Sequence, residues 1–140
     1  MSQADTMAEI LRNCRRVAVV GLSPKPHRAS YDVARYMQAQ GWRIIPINPN
    51  ATEILGEKAY PSLTEAARHE RIELVTVFRN AEDVPPIALE AISIGAEALW
   101  LQLGIENAQA TAAAQAAGLR VVQNKCIKTE HAVLSARGVI

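Results

Sequence analysis

Aromatic residues are scarce: 140 positions hold two Trp, three Tyr and one Phe. That removes the stacking platforms on which single-stranded nucleic acid is held. No excess of one charge exists either. Fifteen Lys and Arg face fourteen Asp and Glu, a net charge of +1, without the strong positive balance of a dedicated nucleic-acid binder. The two cysteines, Cys14 and Cys126, make neither a disulfide framework nor a metal-ligand set, which fits a reducing compartment. No apolar run is long enough to span a bilayer. The N-terminal stretch carries Asp5 and Glu9 and no continuous apolar segment, so it does not read as a secretion signal. Internal repeats and low-complexity stretches are missing as well. What is present is a 49% hydrophobic composition, enough to fold around a core. The expectation is a cytoplasmic protein of one domain, residues 1–140.

Short β-branched runs recur at Val17–Gly21, Trp42–Ile47, Leu74–Phe78, Ala98–Leu103 and Leu119–Val122. Most are apolar throughout, as strands buried on both faces of a parallel sheet are. Helical patterns separate them. Met7, Ile10, Leu11 and Cys14 form one stripe. A second helix opens at Ser30 as N-cap, presents Val33, Ala34 and Met37, and ends at Gly41. Ser62-x-x-Glu65 reads as a capping box for a third. A fourth starts near Asp83, tolerates Pro85 and Pro86 in its first turn, buries Ala88, Leu89 and Ile92, and stops at Gly95. An alanine-rich fifth runs from Asn107 to Gly118, and a last one from about Thr129 to Arg137. Alternating strands and helices predict an α/β fold, three-layered and Rossmann-like, with a mainly parallel sheet of about five strands.

Ligands of such sheets bind beyond the carboxyl ends of the strands. The loop after the first strand, Gly21 to Ser30, concentrates donors: Gly21 for a tight turn, Ser23 and Ser30 for hydroxyls, Lys25 and Arg28 for charge, with a helix N-terminus behind them. Together these suit a phosphate or pyrophosphate. The loop is neither G-x-G-x-x-G nor G-x-x-x-x-G-K-[ST], so P-loop chemistry has no support. The second strand ends in Ile47-Asn48-Pro49-Asn50, without the carboxylate that usually holds an NAD ribose. Asn48-Pro49 reads equally as a rigid strand exit, and Arg79 equally as a phosphate contact or a structural ion pair. Gln102 and Gly104 follow the fourth strand, and Asn124, Lys125 and Cys126 the fifth. Cys126, at a helix start between Lys125 and Lys128, has the surroundings of a reactive thiol, although a lone cysteine is more often an inert small hydrophobe. His131 is its candidate base.

These residues, taken in order, resemble a known family. The carrying segments are Val17–Pro26, Arg28–Tyr36, Ile45–Pro49, Ile54–Gly56, Ala59–Leu63, Val77–Arg79, Trp100–Ile105 and Asn124–Cys126. They look like the small stand-alone CoA-binding protein family, itself similar to the N-terminal CoA-binding domain of the succinyl-CoA synthetase α subunit. The resemblance covers about Ala8 to Leu134. It implies a Rossmann-like fold that binds coenzyme A, or an acyl-CoA, at the strand ends. Carried over by position, Gly21, Ser23, Lys25, His27, Arg28 and Ser30 would surround the CoA phosphates. Asn48, Pro49 and Lys58 would line the nucleotide side. Phe78 and Arg79 would flank the adenosine or 3′-phosphate. Gln102, Leu103, Gly104, Asn124, Lys125 and Cys126 would lie towards the pantetheine arm. The residue chemistry agrees: a pyrophosphate plus a separate 3′-phosphate wants several separated cations, and an acid after the second strand would repel a 3′-phosphate.

The function expected is CoA binding without catalysis, with no nucleic-acid or membrane partner and a protein partner possible. The ligase chemistry of the synthetase is not inherited, because its phosphorylated histidine and nucleotide machinery lie outside this domain. The alternatives are an enzyme acting on a CoA thioester or disulfide through Cys126, and a nicotinamide- or flavin-dependent Rossmann enzyme.

Overall fold

A computed structural model describes residues 2–140. Five strands form one sheet: β1 (Arg16–Val20), β2 (Arg43–Ile47), β5 (Leu74–Val77), β6 (Ala98–Leu101) and β7 (Arg120–Val122). A hairpin of β3 (Glu53–Ile54) and β4 (Glu57–Lys58) stands apart from it. The sheet order is β2-β1-β5-β6-β7, and every neighbouring pair is parallel. The helices are α1 (Gln3–Asn13), α2 (Ala29–Ala39), α3 (Leu63–Ala67), α4 (Val84–Ser93), α5 (Ala108–Ala116) and α6 (Ile127–Ala136).

Alternation along each strand divides the interior into two halves. Val17 and Val19 of β1 join a core with Ile10 and Leu11 of α1, Val33 and Met37 of α2, Trp100, and Ile127 and Leu134 of α6. Ala18 and Val20 join the opposite core with Leu63 and Ala66 of α3, Ala88 and Ala91 of α4, and Ala110 and Ala114 of α5. Helices therefore cover both faces, and apolar strand runs follow from that double burial. The three-layer α/β fold expected from the sequence is the fold observed.

Local details differ. Ser30 is not the N-cap of α2. Arg28 occupies that position, and the buried Ser30 hydroxyl accepts a hydrogen bond from the Ser23 amide at 3.0 Å. Ser62 does cap α3, accepting from the Glu65 amide, while Glu65 pairs with Arg68 and His69. Leu89 is not buried but 60% exposed. The inward stripe of α4 is Val84, Ala88 and Ala91, at i, i+4 and i+7, and Leu89 lies about 100° round the helix from Ala88. Helix α6 begins at Ile127, two residues before the expected Thr129. The β3–β4 hairpin went unforeseen because its strands have two residues each, too short for alternation to show. Its turn places Leu55 at φ 55° and Gly56 at φ 77°; the Leu55 carbonyl accepts from Gln38 Nε2 at 3.0 Å.

Cys14, the C-cap of α1, is 2% exposed. Burial, reinforced by Glu97 and Glu73, pushes its thiol up to about 11 from an ordinary 9.0. Below pH 9 both folded and unfolded thiols keep their proton and stability is complete. Between pH 9 and 11 the unfolded thiol ionises and the folded one does not, so stability falls. We expect roughly 2–3 kcal/mol from this group. Urea midpoints measured from pH 8 to 11 should fall more steeply for the wild type than for Cys14→Ala; parallel curves would refute the assignment.

Candidate functional site

The chain runs from β1 outward to β2, then crosses to the other side of β1 to form β5. The sheet's switch point therefore lies between β1 and β5, where ligand crevices open in doubly wound sheets. Two clefts meet there, one on each side of Gly21. The first, about 460 Å3, is lined by Val20, Gly21, Ile47, Asn48, Pro49, Asn50, Pro61, Ser62, Leu63, Arg79, Ile87 and Glu90. The second, about 430 Å3, is lined by Gly21, Ser23, Lys25, Arg28, Ala29, Ser30 and Phe78.

Gly21 makes this junction sterically possible. Its φ is +84°, and a Cβ there would lie 2.4 Å from the Phe78 carbonyl oxygen and 3.1 Å from Arg79 Cδ. Only a residue without a side chain lets the β1 and β5 loops approach so closely. The strand ladder runs up to the crevice, with the Gly21 amide donating to the Ile47 carbonyl at 3.1 Å and the Phe78 amide to Val20 at 2.9 Å.

The loop from Gly21 to α2 is held by its serines. Beyond the Ser23–Ser30 bond, the Lys25 amide donates to Ser23 Oγ at 3.1 Å and the Arg28 amide to the Lys25 carbonyl at 3.0 Å. No side chain caps α2. Its first turn, with Ala29 and Ser30, faces the second cleft. Unpaired helix amides and the positive end of the helix dipole attract an anion. Lys25 and Arg28 line the same cleft, are exposed, and make no ion pair among the described residues. Arg79 reaches Asp83 at 3.5 Å between two half-exposed side chains. Such a pair contributes little and leaves the guanidinium beside the first cleft.

Asn48 serves structure. Its Nδ2 donates to the Leu22 carbonyl at 3.0 Å, fastening the β1 loop to the β2 loop, and its Oδ1 accepts from the Asn50 amide at 2.7 Å. Pro49 lies in the wall beside it.

The remaining expected residues divide. Gln102, Leu103, Gly104, Asn124, Lys125 and Cys126 gather at the ends of β6 and β7, outside both clefts. Asn124 Oδ1 accepts from the Gly104 amide at 2.7 Å, and the Lys125 carbonyl accepts from Trp100 Nε1 at 2.8 Å. Leu103 is 71% exposed. His27 is an exposed loop residue that lines neither cleft. Lys58 also lies apart, on β4, with Nζ 5.2 Å from the Tyr60 ring centroid. His131 is committed elsewhere: its Nδ1 and the Tyr36 hydroxyl are 2.8 Å apart across the α2–α6 contact. Burial, with Arg15 adding to it, holds the His131 pKa below its ordinary value.

The lining residues at α3 and α4 escaped the sequence reading as site residues: Pro61, Ser62, Leu63, Ile87 and Glu90. Glu90 is held by the Thr64 amide at 2.8 Å and the Thr64 hydroxyl at 2.6 Å. It thereby ties α4 to α3 and closes the outer wall. Ser62-x-x-Glu65 marked this corner as a helix start, but no local signal joins it to Gly21.

A doubly wound parallel sheet with clefts at its switch point defines a Rossmann-like α/β domain. The chain belongs to the CoA binding domain family, whose pattern matches residues 15–132. It is 42% identical over 125 residues to the YneT protein of Bacillus subtilis, covering 89% of this chain and 91% of that protein. A solved structure of a hypothetical protein from Pyrococcus horikoshii superposes with a TM-score of 0.90 at 35% identity, over 96% of this chain and 93% of that one. The alpha subunit of an ADP-forming acetate–CoA ligase from Pyrococcus furiosus is 31% identical over 72 residues, 51% of this chain but 16% of that protein. The CoA-binding resemblance read from the sequence is thereby upheld. Among the described residues, no helix is long and apolar enough to cross a membrane.

Proposed function

We propose that this protein binds coenzyme A or an acyl-CoA across the switch-point crevice, and that it binds without turning its ligand over. The observation carrying this reading is the second cleft: an uncapped helix start with Lys25 and Arg28 beside it, neither held by an acid. That arrangement suits a pyrophosphate. The first cleft, with Arg79 at its rim and apolar Ile47, Leu63 and Ile87 in its walls, suits the adenosine half. The family to which the chain belongs supports CoA as the ligand. Asn48, where NAD sites usually place an acid, supports CoA over a nicotinamide dinucleotide. The polar groups gathered at the second cleft, Ser23, Lys25, Arg28 and Ser30, are donors and cations, which bind phosphate, and this supports binding over catalysis.

A ligand that binds only the native state raises its stability by RT ln(1 + [L]/Kd). At a hundredfold excess over Kd, CoA should stabilise the protein by about 2.7 kcal/mol, read as a rise in Tm. A thermal-shift comparison of CoA, acetyl-CoA, NAD, NADP, FAD and ATP tests this. CoA or acetyl-CoA should give the largest rise. A larger rise with NAD or FAD, or none with CoA while the protein is folded, would reject the proposal.

A further inference from the structure

We propose that Cys126 is the residue through which this protein forms a mixed disulfide with the thiol of its bound CoA. This inference rests on the CoA-binding reading above and adds a covalent step to it.

The geometry places two helix starts side by side. Lys128, in the first turn of α6, puts Nζ 2.7 Å from Oδ2 of Asp32 in the first turn of α2, and 5.6 Å from the Tyr36 ring centroid. Packed helix axes lie about 8–10 Å apart. The N-cap of α6 is Cys126, whose own side chain makes no capping hydrogen bond. A ligand with its phosphates on the first turn of α2 therefore has α6 within reach of its arm. The pantetheine arm, with two amide units and a cysteamine end, has about the reach of three or four extended residues, about 10–14 Å.

An independent feature marks the same place as a binding position. Gln102 is 3% exposed. Its Oε1 accepts from the Ile127 amide, the first of α6, at 3.1 Å. Its Nε2 is the one buried side-chain nitrogen or oxygen without a partner among the described residues. Buried donors are nearly always satisfied. This one lies against the first turn of α6, next in sequence to Cys126, and pantetheine carries two amide carbonyls that would accept from it.

The two cysteines are not equivalent. Cys14 is buried in the core beneath α1, whereas Cys126 is partly exposed at the end of the sheet. Cys14 also keeps its proton well beyond neutral pH, so its reactivity as a thiolate is low.

The oxidant is a CoA disulfide. The Cys126 thiolate attacks one sulfur of that disulfide, and a new Sγ–S bond forms as the CoA S–S bond breaks. One CoA leaves as a thiolate and takes up a proton, and the other remains attached to the protein. The disulfide's two-electron oxidising equivalent passes whole into the mixed disulfide, and the departing CoA is left as a reduced thiol.

The test uses the full chain, CoA disulfide, and intact-mass and peptide mass spectrometry. The expected product gains one CoA moiety, mapped to Cys126 and removed by dithiothreitol. Cys14→Ala should still form it, and Cys126→Ser should not. Prior binding raises the effective concentration of the reacting sulfur, so the rate should exceed that with glutathione disulfide by about tenfold or more. A thermal shift with reduced CoA is recorded in parallel. A shift without an adduct, an adduct mapped to Cys14, or an equal rate with glutathione disulfide overturns this inference and leaves reversible binding standing. No shift with reduced CoA overturns the binding reading, and this inference with it.

Discussion

Reversing the charge of Lys25 and Arg28 together, Lys25→Glu with Arg28→Glu, is expected to weaken CoA binding by at least about a hundredfold. Both side chains line the second cleft beside the uncapped start of α2. A hydrogen bond to a charged group contributes roughly 1.5–3 kcal/mol, so losing two costs about 3–6 kcal/mol, or a hundredfold and more in Kd. Two carboxylates facing a pyrophosphate add repulsion. The fold should hardly notice. Both residues are exposed and lack ion-pair partners among the described residues, and surface changes of that kind usually stay within about 0.5 kcal/mol. Titration calorimetry gives the affinity, and urea denaturation the stability. An unchanged affinity in a stably folded double variant would remove these cations from the site.

Gly21→Ala is expected to be the most damaging single methyl group at this crevice. The φ of +84° alone disfavours any L residue, by about 1–2 kcal/mol. The added Cβ would also meet the Phe78 carbonyl oxygen at 2.4 Å. That atom is main chain at the end of β5, so relief requires the β1 and β5 loops to separate. Overpacking of this kind costs about 1–3 kcal/mol more. The expected loss is about 3 kcal/mol, accompanied by loss of CoA binding. Gly118→Ala is the control. Its φ is +93° but nothing lies within 4 Å of a Cβ there, so only the conformational penalty of about 1–2 kcal/mol applies. Equal losses at the two positions would show that the contact with Phe78 is not what requires glycine at position 21.

The fold was legible because its strands are mostly apolar. Val17–Val20 and Leu74–Val77 are buried on both faces, and that state leaves its mark on composition. The helix ends at Gly41, Gly95 and Gly118 were equally visible, since each adopts a positive φ. What escaped was set by contacts between distant segments. Ser30 looks like a cap by type, yet its hydroxyl folds back onto the Ser23 amide seven residues earlier. Leu89 looks buried by hydrophobicity, but Val84, Ala88 and Ala91 already fill the inward face of α4. The tight turn read at Gly21 is present, with φ +84°, although the atom that demands glycine there belongs to Phe78. Lys58 matched the family pattern in sequence, but the hairpin that carries it puts its ammonium over Tyr60 and away from both clefts. Glu90 and Pro61 enter the wall of the first cleft only because α3 and α4 pack together, a pairing that neither helix announces alone.

The most direct measurement is a crystal structure of the protein grown with saturating CoA. The pyrophosphate should lie on the first-turn amides of α2 within reach of Lys25 and Arg28, with the adenosine half between the β1 and β5 loops. CoA bound away from Gly21, or no CoA in a well-folded crystal whose crevice is open to solvent, would contradict the account.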